Sequence, residues 1–121
     1  MTNTDSATVW VAWTSVGTEA AAHSLADTLV SSRCVACVQI QGPSASVYRW
    51  KGVVEHAQEW TLTMKLAREQ WPELEKLLLE LHAYEVPELI AVPVVKGHQP
   101  YLDWVQSSAD GEQDPSAEEM N

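Results

Sequence analysis

The stretch VACVQIQGPSASVYRWKGVVEHAQEWTLTMKL, residues 35–66, decides how this chain folds. Near its middle stands Lys51-Gly52, a tight-turn pair between two runs of strand composition. Before the turn, residues 35–41 and 45–50 read as strand, with Gly42-Pro43 between them as a bulge or bend. After the turn, residues 53–66 form one run that ends in clean alternation. Trp60, Leu62, Met64 and Leu66 fall on one side, and Glu59, Thr61, Thr63 and Lys65 on the other. The two arms, about 15 residues each, far exceed the usual strand of about 5–6.

Working outward, residues 7–14 are rich in Val and Trp and predict a buried strand. Ser15 to Thr18 breaks it, and Thr18 is placed to cap a helix. That helix carries Ala21/Ala22, Leu25/Ala26 and Leu29/Val30 at helical spacing, a small-residue face suited to lying tight on a sheet. Downstream of the hairpin, Pro72 suits a helix start, and Trp71, Leu74, Leu77, Leu78 and Leu81 give the apolar stripe. Glu69, Glu73 and Glu75 complement the positive end of its dipole. Glu85-Val86-Pro87 stops the helix. Residues 89–95 then read as a strand whose Pro93 belongs at an edge or bulge, and residues 101–107 as a short last helix.

The order β-α-β-β-α-β with a terminal helix predicts an α+β, ferredoxin-like sandwich with a long central hairpin. Both main helices cover one sheet face and leave the other bare. The hairpin must overhang its shorter neighbours, exposing Tyr48, Trp50, Val53 and Val54. Pairing with sister chains in closed symmetry covers such an arm, and folding back on its own core is the alternative. The pattern by itself does not choose between two and three subunits.

The length of 121 residues suits one domain. We expect it over residues 8–107, with a disordered N-terminus over 1–7 and an acidic, disordered tail over 108–121. The net charge is −10 with only seven Lys and Arg, which argues against nucleic acid and against anionic membrane surfaces as partners. No apolar run reaches the roughly 18 residues of a membrane span, and the polar start shows no signal-peptide pattern, so a cytoplasmic location is expected. Two cysteines are too few for a disulfide scaffold.

Cys34-Val-Ala-Cys37 is a Cys-x-x-Cys pair, but it leads into a strand rather than a helix, and no second pair completes a zinc site. Packing explains it better than redox chemistry. His82 lies near Glu85 and Glu88, a candidate nitrogen and oxygen donor set, against the plainer reading of a histidine favoured by a helix C-terminus. Glu59 and Lys65 share a strand face, roughly 20 Å apart by strand rise, so each must find partners elsewhere. A lysine in a cleft between subunits would draw a small anionic ligand; the alternative is an interfacial ion pair. Trp50 and Tyr84 would wall such a cleft. There is no Gly-x-Ser-x-Gly, no clustered glycine loop and no paired catalytic carboxylates, so an enzyme is not expected.

Four segments together give a resemblance. Ala36-Cys37-Val38, Ser46-Val-Tyr48-Arg-Trp50-Lys-Gly52, Tyr84-Glu-Val-Pro87-Glu88, and Pro93 with Gly97 and Tyr101-Leu-Asp-Trp104 resemble motifs of the CutA family, named for divalent-cation tolerance. Glu59 and Lys65 fall where that family has Glu and Lys on its third strand. The resemblance covers residues 8–107. It implies a homotrimer whose hairpins wrap neighbouring subunits, with an architecture akin to the PII signalling proteins and a role in the response to copper and other divalent metals. It implies a ligand cleft between subunits formed by Cys37, Trp50, Glu59, Lys65, Tyr84 and Glu88, and no resident cofactor. Three positions depart from the pattern: Trp13 stands where many relatives have Cys, Ala83 replaces a proline, and Leu66 replaces a threonine. Loss of the thiol at position 13 predicts only weak direct copper binding. A direct metal-binding protein and a trimeric scaffold are the alternatives to a sensor.

Overall fold

The computed structural model describes residues 6–110. Its strands are β1 (Val9–Val16), β2 (Cys37–Trp50), β3 (Val53–Ala67) and β4 (Ile90–Pro93), and its helices α1 (Glu19–Ser31), α2 (Trp71–Leu81) and α3 (Gln99–Ser107). The strands form one sheet in the order β2-β3-β1-β4, antiparallel throughout, which is the ferredoxin-like α+β arrangement.

Register explains why one face is the core. Ala12 pairs with Met64 and Thr14 with Leu62, so these side chains stand on the helix side, where all four are fully buried. Leu25 and Leu29 of α1 and Leu74 and Leu78 of α2 close over them. Ala22 and Ala26 let α1 approach closely, as the small-residue face predicts. The stripes are narrower than the sequence suggests. Val30 and Leu81, each on the last turn of its helix, are exposed at 41% and 49%.

Thr18 caps α1 by accepting a hydrogen bond from the Ala21 N–H at 3.0 Å. The helix ends in a Schellman motif: Cys34 N–H donates to Leu29 O, Arg33 N–H to Val30 O, and Arg33 takes the left-handed position at φ 60°. A 3₁₀ turn, Arg68–Gln70, separates β3 from α2 and has no counterpart in the sequence reading. It exists because the buried Gln70 side chain accepts from the Ala67 N–H and donates to Arg33 O. Ser108 Oγ donates to the same Gln70 oxygen, and Ala7 is buried, so both ends of the packed unit run slightly past the expected boundaries. The rest of the expected N-terminal and acidic segments, residues 1–5 and 111–121, lies outside the described residues. The last strand is shorter than expected, ending at Pro93; the Val94 N–H still donates to Val9 O at 2.9 Å, so Pro93 sits where its missing N–H would face the free edge of the sheet. The last helix starts two residues earlier than predicted, with Pro100 in its first turn.

The hairpin is as long as predicted, with arms of 14 and 15 residues. Lys51 and Gly52, both at positive φ, make its turn. A register shift between Gln41 and Ser44 marks the bulge at Gly42-Pro43. A β-carbon on Gly42 would stand 2.5 Å from the Trp60 ring, so glycine is needed there for close approach. Strand β1 pairs with β3 only as far as Val16 opposite Trp60. Beyond that, residues 53–59 of β3 pair with β2 alone and form a two-stranded arm, roughly 24 Å long by strand rise.

Candidate functional site

A cleft of about 540 Å³ opens where this arm leaves the sheet. One wall is the arm itself, with Tyr48 and Trp50 from β2 and Glu59 from β3. Ser15, at the end of β1, forms the floor. The other wall is the α2–β4 connection, which supplies Tyr84, Glu85 and Glu88.

His82 fixes that connection. It caps α2 with its backbone N–H on Leu78 O at 2.9 Å. Its ring then reaches two backbone groups: Nδ1 lies 3.1 Å from the Tyr84 amide nitrogen, and Nε2 2.8 Å from Ser15 O. An amide can only donate, so Nδ1 is the acceptor; a carbonyl can only accept, so Nε2 carries the proton. The neutral ring therefore ties the connection to β1, and it packs against the Tyr84 ring at 4.8 Å between centroids. The Tyr84 hydroxyl lands 2.7 Å from Glu59 Oε2, to which it donates. It also passes Gly17, where a β-carbon would stand 3.3 Å from the hydroxyl.

The cleft is negative. Glu59, Glu85 and Glu88 line it, and none of its lining residues is basic. Glu59 keeps only 9% of its surface, and its Oε1 has no partner among the described residues. Ser15 Oγ approaches Glu88 Oε1 at 3.5 Å. Lys51 meets Glu85 at 3.7 Å at the exposed rim, where an ion pair contributes little. Burial first, and then the bond to Glu59, push the Tyr84 phenol up to about 12, so it stays protonated and donating.

Of the six residues expected to line a ligand cleft, the structure gathers Trp50, Glu59, Tyr84 and Glu88 within one chain. Cys37 and Lys65 lie elsewhere. They face each other across the β2–β3 ladder at the root of the hairpin, on the sheet face turned away from α1 and α2. The Lys65 amine donates to the Gln39 side chain, and Cys37 Sγ lies 3.8 Å from the Tyr101 hydroxyl, whose pKa burial raises to about 12. Lys65 is therefore not on the walls that one chain supplies to this cleft, where carboxylates stand; the expected anionic ligand belongs to a cleft between subunits, which a single chain does not form.

The metal set suggested by His82, Glu85 and Glu88 does not assemble, since both imidazole nitrogens are engaged by backbone. Among the described residues, no three His, Cys, Asp or Glu side chains are grouped to hold an ion. Cys34 is buried in the core, where burial raises its thiol pKa, as packing rather than redox chemistry predicts. Ser15 and Glu85 were not foreseen in the cleft. Only the tertiary crossing of the α2–β4 connection over the end of β1 brings them there.

A family profile described as "CutA1 divalent ion tolerance protein" matches residues 10–108. The divalent-cation tolerance protein CutA of Thermus thermophilus is 39% identical over 93 residues, covering 77% of this chain and 90% of that protein. Human protein CutA is 38% identical over 88 residues, covering 73% of this chain. The chain spans about half the length of the human and mouse relatives, 49% of each. Among solved structures, the Thermus thermophilus divalent cation tolerance protein superposes with a TM-score of 0.80 at 37% identity, covering 83% of this chain and 97% of that one. CutA1 from Oryza sativa gives 0.82 at 31% identity, covering 88% and 97%.

Proposed function

The chain belongs to the CutA1 family of divalent ion tolerance proteins, and from that premise we propose that it works in tolerance of divalent metals as a homotrimeric, PII-like sensor. In this reading a small ligand binds in clefts completed by neighbouring subunits, copper and other metals act indirectly, and the site is the cytoplasm. The observation that carries the proposal is the unsupported arm. Val47, Val53 and Val54 are 63%, 57% and 51% exposed, and Tyr48 and Trp50 beside them line the cleft. Ile90 and Val92 on the bare sheet face are also exposed, at 55% and 45%. A monomer that left this apolar area in water would aggregate. Closed three-fold pairing covers the exposed valines and puts a neighbour beside each cleft, leaving Tyr48 and Trp50 on its walls.

The role is binding rather than turnover. The Tyr84 phenol is held protonated and the Cys34 thiol is buried, so neither offers a nucleophile at neutral pH. Sedimentation equilibrium tests the assembly. The expected mass is three times 13.4 kDa, and Val47→Asp with Val54→Asp should reduce it to one. A folded monomer at micromolar concentration would overturn the proposal.

A further inference from the structure

We propose that the cleft selects an organic cation, a primary amine or guanidinium on an apolar body, rather than an anion or a bare metal ion; this rests on the sensor reading above. Three features of the cleft converge on that class. The first is charge: of the walls this chain supplies, three residues are carboxylates and none is basic, and Lys51 at the rim is held against Glu85. An anion entering would be repelled by every ionised group in the walls.

The second is the buried carboxylate. Glu59 is nine-tenths buried, and Tyr84 occupies one of its oxygens. The other, Oε1, has no partner among the described residues, although the side chain lines an open cavity. A half-satisfied, buried carboxylate facing a cavity calls for an N–H donor carrying positive charge. A quaternary ammonium lacks that donor, which narrows the class to amines and guanidines.

The third is the wall. Tyr48 and Tyr84 present aromatic surface, Trp50 adds a ring that already holds the Lys51 amine at 5.7 Å from its centroid, and Val86 adds aliphatic surface. Aromatic faces attract a cation and also cover the hydrocarbon that carries it. A bare divalent ion gains nothing from such walls, and among the described residues no three ligating side chains close around one. The volume of about 540 Å³ is suited to a molecule of metabolite size.

Titration calorimetry on the full chain tests this with agmatine as the probe, 4-guanidinobutanoate as a control whose amine is replaced by carboxylate, and citrate, Cu²⁺ and Zn²⁺ alone as competitors. Agmatine should bind in the micromolar range, and the control about tenfold more weakly or worse. Raising the salt should weaken agmatine binding. Glu59→Gln keeps an acceptor for the Tyr84 hydroxyl, so the fold is retained, yet affinity should fall about tenfold; Glu88→Gln, at the exposed rim, should cost less. Citrate or a metal ion binding in preference, no binding of agmatine, or wild-type affinity in Glu59→Gln overturns the inference. Sedimentation of the same samples separates the two readings. A trimer that ignores agmatine leaves the assembly standing and removes the cation, whereas a monomer that binds it does the reverse.

Discussion

Replacing Tyr84 with Phe removes one oxygen and leaves the ring packed against His82. The lost interaction is the 2.7 Å donation to Glu59 Oε2. A hydrogen bond to a charged group contributes about 1.5–3 kcal/mol when shielded. Here Tyr84 keeps 37% of its surface and the cleft admits water, so screening lowers the expected loss to about 1 kcal/mol. At a chain length between the calibrated size classes, that is a fall in melting temperature of about 3–6 °C at neutral pH. The pH dependence separates this cause from a general packing defect. The phenol's pKa is raised from 10 to about 12 in the folded chain, so the fold holds the proton more tightly than the unfolded chain does. Its contribution is complete below about pH 10 and is lost as pH climbs towards 12. Thermal melts of wild type and Tyr84→Phe from pH 7 to 11.5 should therefore show a constant gap that narrows above pH 10. In a Glu59→Gln background the same substitution should cost about half as much, because the acceptor is then neutral. Equal melting temperatures at pH 8, or a gap that persists undiminished to pH 11.5, would refute the reasoning.

Other substitutions probe the frame that holds the cleft. Gln70→Leu removes the partners of the Ala67 N–H and Arg33 O, and should cost about 2–4 kcal/mol in urea unfolding, since each stranded group costs about 1–3. Thr14→Val should be neutral or stabilising by about 1 kcal/mol, because the buried Thr14 hydroxyl has no partner among the described residues; a loss of stability would reveal a bonded hydroxyl. Arg33→Gly should raise stability by up to about 1 kcal/mol, because glycine takes the left-handed position at φ 60° without a β-carbon clash. Gly42→Ala should destabilise by about 1–3 kcal/mol and perturb near-ultraviolet dichroism, since the new methyl meets Trp60 at 2.5 Å.

The period-2 run from Glu59 to Leu66 and the Lys51-Gly52 pair were enough to define the hairpin, because strand alternation and positive-φ turn chemistry are local properties of the chain. The Thr18 cap and the small-residue face of α1 were legible for the same reason. The 3₁₀ turn was not, since it depends on Gln70 reaching Arg33, 37 residues away. The cleft divides along the same line. The sequence could nominate Trp50, Glu59, Tyr84 and Glu88, as residue types set in recognisable segments. It could not say whether Lys65 joins them within one chain, because spacing along a strand does not say how far neighbouring elements follow it. That is decided where β1 stops at Val16 and the α2–β4 connection crosses to meet the arm. Within one chain, the tertiary crossing is what sets Glu59, Glu85 and Glu88 together and leaves the lysine at the hairpin root.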